Sequence, residues 1–232
     1  MNSKVLIFGF LFSLVMSGCI VYHPLPNDVP LISKKNDLRI DAGVSIIPSM
    51  HTTISYGLTD KIAVQGFGSA SIGNKYYYQA ATGVYKKLAN QYIMELYGGF
   101  GYGHSKAESE FTFNGQSGYL YGNYQLYYAQ INYGKISIEH PHIDFGFSLK
   151  TGFLNSNLID ENYHDWVSEF GPFIKYHHES ILVEPIAFMR VGKNRVKFSV
   201  IVCGTWIYKL TYKNIEIPYK NANIACGMNF RL

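Results

Sequence analysis

The stretch HIDFGFSLKTGF, residues 142–153, carries the alternation that decides the fold. Every second residue from Ile143 to Leu149 is large and apolar, whereas the residues between them are polar or glycine. Because successive side chains of a β-strand point to opposite faces, this pattern creates one apolar face and one polar face. We therefore predict a strand here, with only one of its two faces in an apolar environment.

The same two-residue period recurs near both ends of the chain. In DLRIDAGVSI, residues 37–46, apolar residues alternate with charged or small ones, and NANIACGMNFRL, residues 221–232, follows the same rule from Ile224 onward. Strands of about 10 residues with this period are typical of strands that cross a membrane at a tilt. Such segments predict strands near 37–47, 51–59, 61–72, 77–87, 91–103, 121–134, 142–154, 181–192, 195–208 and 221–232.

The composition suits a membrane β-protein. The 20 Tyr, 15 Phe and 22 Gly residues favour strands, turns and the aromatic belts found at membrane surfaces. The net charge of +4 comes from scattered residues, so no basic stripe indicates nucleic acid as a partner. After Cys19, no run of about 18 apolar residues offers a membrane-spanning helix. Any insertion into a membrane must therefore use strands.

The links between the predicted strands fall into two length classes, as is typical of membrane barrels. Short links are predicted at 59–61, 88–90, 139–141 and 193–194, and longer polar links at 104–119, 155–179 and 209–220. Strand alternation places all of these short links at one end of the barrel and the long loops at the other. An even number of strands is then required, because both ends of the barrel chain lie on the same side.

These patterns predict an all-β fold, an antiparallel up-and-down transmembrane β-barrel of about ten strands. Eight or twelve strands are the alternatives, since residues 165–180 either extend a strand or add a hairpin. The rival fold is a soluble periplasmic β-sandwich or lipocalin-like barrel, which would bury large residues inside. The polar face of 143–153, with Asp144, Gly146 and Ser148, lacks the large residues that such a core needs.

Residues 1–18 have the composition of an export signal peptide. Lys4 precedes the apolar run VLIFGFLFSLVM, which is shorter than the 20 or so residues of a membrane-spanning helix. The following tetrapeptide MSGC, which ends at Cys19, resembles the lipobox of bacterial lipoproteins. The resemblance implies that Cys19 is acylated and becomes the first residue of the mature protein. An ordinary signal peptide that ends near a cysteine is the alternative.

The residues after the cysteine predict the destination of the protein. Ile20 stands where many lipoproteins of the inner membrane have Asp, so the resemblance implies transport to the cell outer membrane. We predict that residues 19–36 form a lipidated N-terminal tether and residues 37–232 the outer-membrane barrel. The N-terminus is expected to be lipid-anchored on the periplasmic side, beside the short links. The long loops then face out of the cell.

Two motifs support this architecture through a resemblance. SYGLTDKIAVQGF at 55–67 and ILVEPIAFMRVGKNRVKF at 181–198 resemble the Gly-Leu-Thr-Asp turn and the Glu-Pro hairpin of small outer-membrane barrel proteins of Gram-negative bacteria. Proteins of this kind are largely uncharacterised, so the resemblance implies an architecture and no particular activity. The C-terminus departs from the family, because it ends in Leu232 in place of Phe.

A barrel of this kind must pair the charges that point inward, because an unpaired charge in a narrow lumen is costly. By face, the predicted lumenal charge network consists of Arg39, Asp41, Glu95, Asp144, Lys150, Glu184, Arg190, Lys197 and Arg231. Arg39 and Arg231 lie on the first and last strands, which meet where the barrel closes, so we expect a carboxylate such as Asp41 beside them. Barrels of eight strands are filled by side chains, and ten strands are barely wider. We therefore favour a filled lumen over a selective pore.

Two functional classes are compatible with this sequence. The first is a non-enzymatic binding, scaffolding or structural membrane protein, and the alternative is a porin-like channel for small solutes. An enzyme that modifies membrane lipids is less favoured, as is a soluble periplasmic lipoprotein. The nearest nucleophile arrangement is His104 and Ser105 with Glu108, but neighbouring strand residues point to opposite faces. We predict no enzymatic activity and no cofactor.

Aromatic residues in the predicted long loops are candidates for contacts outside the membrane. Exposed Tyr and Trp offer contact area at low entropic cost. Such a surface would suit a glycan or another envelope protein, while outer-membrane lipids are the expected general partner. A headgroup-level aromatic girdle is the structural alternative. The candidate contact residues are Tyr119, Tyr121, Tyr163 and Trp166.

The histidines and cysteines predict no further chemistry. His140, His142, His177 and His178 lack a cysteine or carboxylate partner at a familiar zinc spacing, so we predict no metal site. Alternation places Cys203 on the polar face of its strand and Cys226 on the apolar face of another. The two thiols should therefore point apart, and we predict no disulfide bond.

Overall fold

The computed structural model describes residues 22, 25–26, 29–71, 73–108, 119–137, 142–160, 174–193, 195–211 and 220–232. The strands are β1 (Leu38–Ser45), β2 (Ser49–Gly57), β3 (Ile62–Ser71), β4 (Lys75–Lys87), β5 (Tyr92–Glu108), β6 (Tyr119–Lys135), β7 (Ile143–Asp160), β8 (Ile174–Gly192), β9 (Val196–Gly204), β10 (Trp206–Lys209) and β11 (Ala222–Arg231). A short 3-10 turn, Ala89–Gln91, separates β4 from β5. None of the helical structure in these residues is long and apolar enough to cross a membrane.

The strands form one closed antiparallel barrel. Each strand from β1 to β8 pairs with the next, and β11 pairs with both β9 and β1. The last pairing, from Arg39 opposite Arg231 to Ser45 opposite Ala225, closes the sheet on itself. Closure leaves no unpaired strand edge along this seam. The predicted class, an all-β antiparallel barrel, is confirmed.

Strands β9 and β10 lie end to end and occupy one strand position in the wall, so the barrel has ten strands. The register on β8 is continuous across the break, with Ile186 opposite Cys203 and Val183 opposite Trp206. Between these pairs lies Pro185, which has no N–H to donate to a ladder. The predicted strand 195–208 is therefore interrupted opposite this proline without a change of register.

The two ends of the barrel differ. The short-turn end contains residues 58–61 and 88–91, together with the start of β1 and the end of β11. The long-loop end contains the links β5–β6, β7–β8 and β10–β11, as predicted, and also turn residues 46–48 and 73–74. The β5–β6 and β7–β8 links are shorter than predicted, because β5, β7 and β8 continue as strands into the stretches assigned to loops.

The outer surface is apolar in the middle of the barrel and polar beyond it. On β5, Met94, Leu96 and Phe100 are exposed large apolar residues, whereas the outward positions further along are His104 and Lys106. Strands β5 to β8 have 17 to 19 residues each, whereas crossing a membrane takes about 9–11. These four strands therefore extend past the apolar band at the long-loop end.

Aromatic rings lie on the outer surface at both borders of this band. Toward the short-turn end, the ring centroids of Tyr92 and Tyr133 are 5.3 Å apart, and those of Tyr133 and Phe147 are 5.5 Å apart. Toward the long-loop end, the ring of Tyr76 stacks on His104 at 5.6 Å. Two aromatic groups flanking an apolar band are characteristic of barrels in a bilayer.

Candidate functional site

The described residues from Tyr22 to Ile32, which precede β1, lie inside the barrel. At the short-turn end, the Asn36 N–H donates to the Gly57 carbonyl at 2.8 Å. At the other end, the Tyr22 carbonyl accepts a hydrogen bond of 3.1 Å from the N–H of Lys220, two residues before β11. The described residues between Tyr22 and Asn36, which we call the lumenal segment, therefore run through the barrel from one end toward the other.

Of residues 19–36, which the sequence predicts to be a lipidated tether, those described from Tyr22 to Ile32 are buried inside the barrel, and lipid attachment at Cys19 stays a prediction. A tether in solvent would expose its apolar side chains, whereas Leu25, Val29 and Ile32 are fully buried in the barrel. Tyr22, Leu25 and Ile32 belong to one apolar cluster of the interior and Val29 to another. Burying a large apolar side chain stabilises by about 1.5–3 kcal/mol. Several such side chains fix the segment in the lumen by an energy on the order of 10 kcal/mol.

Glu184 joins the lumenal segment to the wall halfway along the barrel. Its carboxylate accepts hydrogen bonds from the Tyr22 hydroxyl at 3.0 Å and from the Leu25 N–H at 3.4 Å. The hydroxyl of Thr205 donates to it at 2.9 Å, and Lys150 Nζ lies 3.1 Å away. All of these groups are buried, so the partners replace the water that a carboxylate otherwise needs.

Glu95 receives the segment nearer the short-turn end. The Ile32 N–H donates to its Oε1 at 2.6 Å, and Asn132 Nδ2 donates to its Oε2 at 2.8 Å. The preceding residue, Leu31, has a φ of 53°, a left-handed conformation that costs energy for a leucine. The packed surroundings of Leu31 and the hydrogen bond of its neighbour to Glu95 hold this conformation.

Arg190 is a positively charged wall residue that contacts the segment, in contrast to the carboxylates Glu95 and Glu184. Its Nη2 donates to the Val29 carbonyl at 2.7 Å, and the guanidinium lies over the Phe188 ring at 4.3 Å. A backbone carbonyl and an aromatic face both favour a cation. The peptide groups of the segment thus act as partners for charged residues of both signs.

The charge cluster at the closing seam is centred on Asp37. The Arg231 guanidinium donates from Nε to Oδ1 at 3.0 Å and from Nη2 to Oδ2 at 2.9 Å. The Ser33 N–H donates to the same carboxylate at 2.9 Å, and Arg39 Nε lies 3.9 Å from it. Burial opposes the charged form, but both guanidiniums and the Ser33 N–H outweigh it and lower the pKa of Asp37.

The expected carboxylate beside Arg39 and Arg231 is present, but it belongs to Asp37 and not to Asp41. Arg39 and Arg231 do face each other across the seam, as expected. Asp41 lies one step further inside, where it accepts a hydrogen bond of 3.3 Å from Ser199. Asp37 could have been found from the sequence, because it is two residues before Arg39 and shares its face. The predicted charge network does not include Asp37, because this residue lies just before the first residue of β1, where the alternating pattern starts.

The other members of the predicted network are also placed inside. Asp144 and Lys197 form an ion pair of 2.6 Å. The charged residues buried in the described interior, with the partly buried Arg231, are five acidic and five basic side chains. The acidic residues are Asp37, Asp41, Glu95, Asp144 and Glu184, and the basic residues are Arg39, Lys150, Arg190, Lys197 and the partly buried Arg231.

Two of the four predicted contact aromatics, Tyr119 and Tyr121, belong to the described residues. Tyr119 and Tyr121 are half-buried at the start of β6, at the long-loop end. Lys106 Nζ lies 3.9 Å from the ring centroid of Tyr119, a cation–π contact. Tyr163 and Trp166 lie outside the described residues, as does Cys19.

The residues considered for catalysis are not brought together. His104 faces outward, where its Nδ1 lies 2.8 Å from Asn123 Oδ1, whereas Ser105 is buried in the interior. Their separation follows from strand alternation. The Glu108 side chain lies outside the described part of the chain. Within the described ranges, no three potential metal-ligating side chains form a group.

The remaining histidines and the cysteines lie apart. His177 is on the outer surface, with Nδ1 2.8 Å from Asn157 Oδ1, while His178 is buried inside. His142 is half-buried, and His140 lies outside the described residues. Cys203 is buried and Cys226 is exposed on the outer face, so the two thiols point apart as alternation predicted.

The fold and the site define a class of protein: a closed ten-stranded antiparallel barrel whose described interior is filled by charged and polar side chains and by the lumenal segment. No family model matches the chain, and no curated protein matches it either.

Proposed function

We propose that this protein is a non-enzymatic outer-membrane β-barrel lipoprotein that serves as a binding, scaffolding or structural element of the envelope. The observation that carries this proposal is the exposed apolar band between the two aromatic groups. Its members include Met50 and Leu96, which are 72% and 51% exposed. A soluble protein rarely exposes a continuous apolar surface of this extent, whereas the acyl chains of a bilayer would cover it.

The polar borders of the band support an orientation. Beyond the band at the long-loop end, neighbouring strands present the row His104, Asn123, Asn157 and His177 on the outer surface. Such residues suit the headgroup layer. We place the long-loop end at the cell surface and the short-turn end in the periplasm, because barrels of this kind have short periplasmic turns and longer outer loops.

The filled lumen favours a closed protein over a channel. A water path would have to pass the lumenal segment, which is bound to Glu95, Glu184 and Arg190 and packed in both apolar clusters. Contacts to partners then fall to the outer surface and the long loops. Outer-membrane lipids are the general partner, and Tyr119, Tyr121, Tyr163 and Trp166 are the candidates for an envelope protein or a surface glycan.

Three measurements test this proposal. We expect heat-modifiable migration on a gel, incorporation of palmitate that Cys19→Ala abolishes, and no steady conductance of the purified protein in a planar bilayer. Because the barrel itself is embedded, Cys19→Ala protein should remain in the membrane fraction. Extraction of this variant without detergent would contradict an integral barrel. A stable, reproducible conductance would favour the small-solute channel instead.

A further inference from the structure

The direction of the lumenal segment has a consequence for the N-terminus. We follow the segment from β1 back toward the N-terminus. It enters the barrel at the short-turn end, where Asp37 and Ser33 contact Arg231 of the last strand. It then passes Glu95 and Glu184 in turn. Tyr22 lies near the long-loop end, where its ring meets Tyr124 edge-on at 5.5 Å and its carbonyl accepts from the N–H of Lys220.

The segment is anchored along its whole described length. Ile32, Val29 and Leu25 are each buried, and each has a backbone group hydrogen-bonded to a charged side chain of the wall. Withdrawing the segment would leave Glu95 and Arg190 without these partners and would open apolar cavities. The course of the segment is therefore a permanent feature of the folded barrel.

The length of chain before Tyr22 is too short to return to the short-turn end. Cys19 precedes Tyr22 by three residues, and three residues of fully extended chain cover at most about 11 Å. Strand β11 has ten residues, which correspond to about 33 Å of strand, or about 25 Å along the axis at a tilt of about 40°.

We infer that the chain before Tyr22 leaves the barrel at the long-loop end, so that acyl chains on Cys19 insert into the membrane leaflet on that side. With the orientation given above, that leaflet is the outer one, which differs from the periplasmic-side anchor expected from the sequence. The lipid and the orientation rest on the proposed function, whereas the exit side rests on the course of the segment alone.

This exit side constrains assembly. Acyl chains could not pass through the finished barrel, because its interior is filled by paired charges and packed side chains. The barrel must therefore close around the segment, with the pairing of β1 and β11 completed after the segment is in place. The Arg231 to Asp37 contacts link this closing seam directly to the segment.

A tag-accessibility experiment tests the exit side in the full-length protein. A short epitope is inserted between Ile20 and Val21, and matched control proteins have the same epitope in turn 46–48 at the long-loop end or in turn 58–61 at the short-turn end. An epitope is too bulky to remain in the filled lumen. We expect antibody on intact cells to bind the first tag as it binds the 46–48 tag. The 58–61 tag should bind only after permeabilisation.

The outcomes separate the inference from the proposed function. An Ile20 tag that becomes accessible together with the 58–61 tag overturns the inference. If antibody reaches the 46–48 tag only after permeabilisation, the proposed orientation is wrong. The exit side is then the end whose control tag shows the same accessibility as the Ile20 tag. Absence of palmitate from the wild-type protein sinks the lipid anchor alone. Any tagged protein that loses heat-modifiable migration is replaced by Ile20→Cys, probed with a membrane-impermeant maleimide.

Discussion

Asp37 lies where β1, the last strand and the lumenal segment meet. Its carboxylate is buried and accepts hydrogen bonds from Arg231 and from the backbone of Ser33. Removing one partner of a buried ion pair leaves the other charge without compensation, which is more costly than the pair is worth. A single side chain thus connects barrel closure with the position of the segment.

We expect Asp37→Asn to destabilise the barrel by about 3 kcal/mol, because both Arg39 and Arg231 lose their carboxylate. The measurement is the temperature at which the folded gel band converts to the unfolded one. Asp60→Asn is the matched control, since Asp60 is exposed in a turn at the same end. Equal conversion temperatures for the two variants would contradict the role assigned to Asp37.

The same residue predicts a pH dependence. The pKa of Asp37 is lowered from its ordinary value of 3.8 in the folded barrel, so the folded state favours the charged carboxylate. The resulting stability is fully present above pH 3.8 or so and is lost as the pH falls through the folded pKa. We expect the conversion temperature of the wild type to fall in this acid range more than that of Asp37→Asn. Parallel acid profiles would argue against this linkage.

At the scale of elements, the lumenal segment takes the place of lumenal water. Its N–H and carbonyl groups are hydrogen-bonded to Glu95, Glu184 and Arg190, and its apolar side chains fill the space between them. A buried charge requires such partners. The segment and the polar wall are therefore parts of one interior.

A disulfide between the segment and the wall tests this placement. A Cβ placed on Gly134 of β6 would lie 2.8 Å from Leu31 Cδ1, so side chains at these two positions are neighbours, as a disulfide requires. We expect Leu31→Cys with Gly134→Cys to form a cross-link, seen as a shifted band without reductant. Leu31→Cys with Gly66→Cys is the control, since Gly66 faces outward into open space. Cross-linking of both pairs alike, or of neither, would contradict the observed path.

At the scale of the whole molecule, the barrel is an inverted structure with its charges inside and its large apolar residues outside. The apolar band is bordered by aromatic rings at both ends, while β5 to β8 project beyond it at the long-loop end. Membrane burial of the band predicts that the cost of an outward charge depends on its depth.

Two arginine substitutions on β7 measure this depth. Leu149 and Asn157 both face outward, but Leu149 lies within the apolar band and Asn157 beyond it. We expect Leu149→Arg to cost about 2–4 kcal/mol of folding free energy in lipid vesicles and Asn157→Arg about 0–1 kcal/mol. The measurement is the folded fraction in a denaturant titration with vesicles. Similar costs for both variants would show that the band is not in contact with lipid.

Much of the architecture could be predicted from local pattern. The alternation in 142–153 and in 37–46 assigns each side chain to a face. The same rule, applied to 195–208 and 221–232, correctly places Cys203 inside and Cys226 outside. Alternation predicts β5 and β8 shorter than they are, since both strands continue past the apolar band and lose the apolar half of the pattern there. The interruption after Gly204 depends on Pro185 of the neighbouring strand, which no local pattern includes.

Local sequence pattern is enough to assign which residues are apolar, where strands alternate, and hence that a barrel has its polar face inward, because side-chain direction in a strand is a local property. The filling of the lumen by the described residues of the lumenal segment, and the pairing of Asp37 with Arg231, appear only in the folded barrel. Those outcomes depend on register and on the space left when the sheet closes. The direction of the segment inside that space in turn decides on which side the N-terminus emerges.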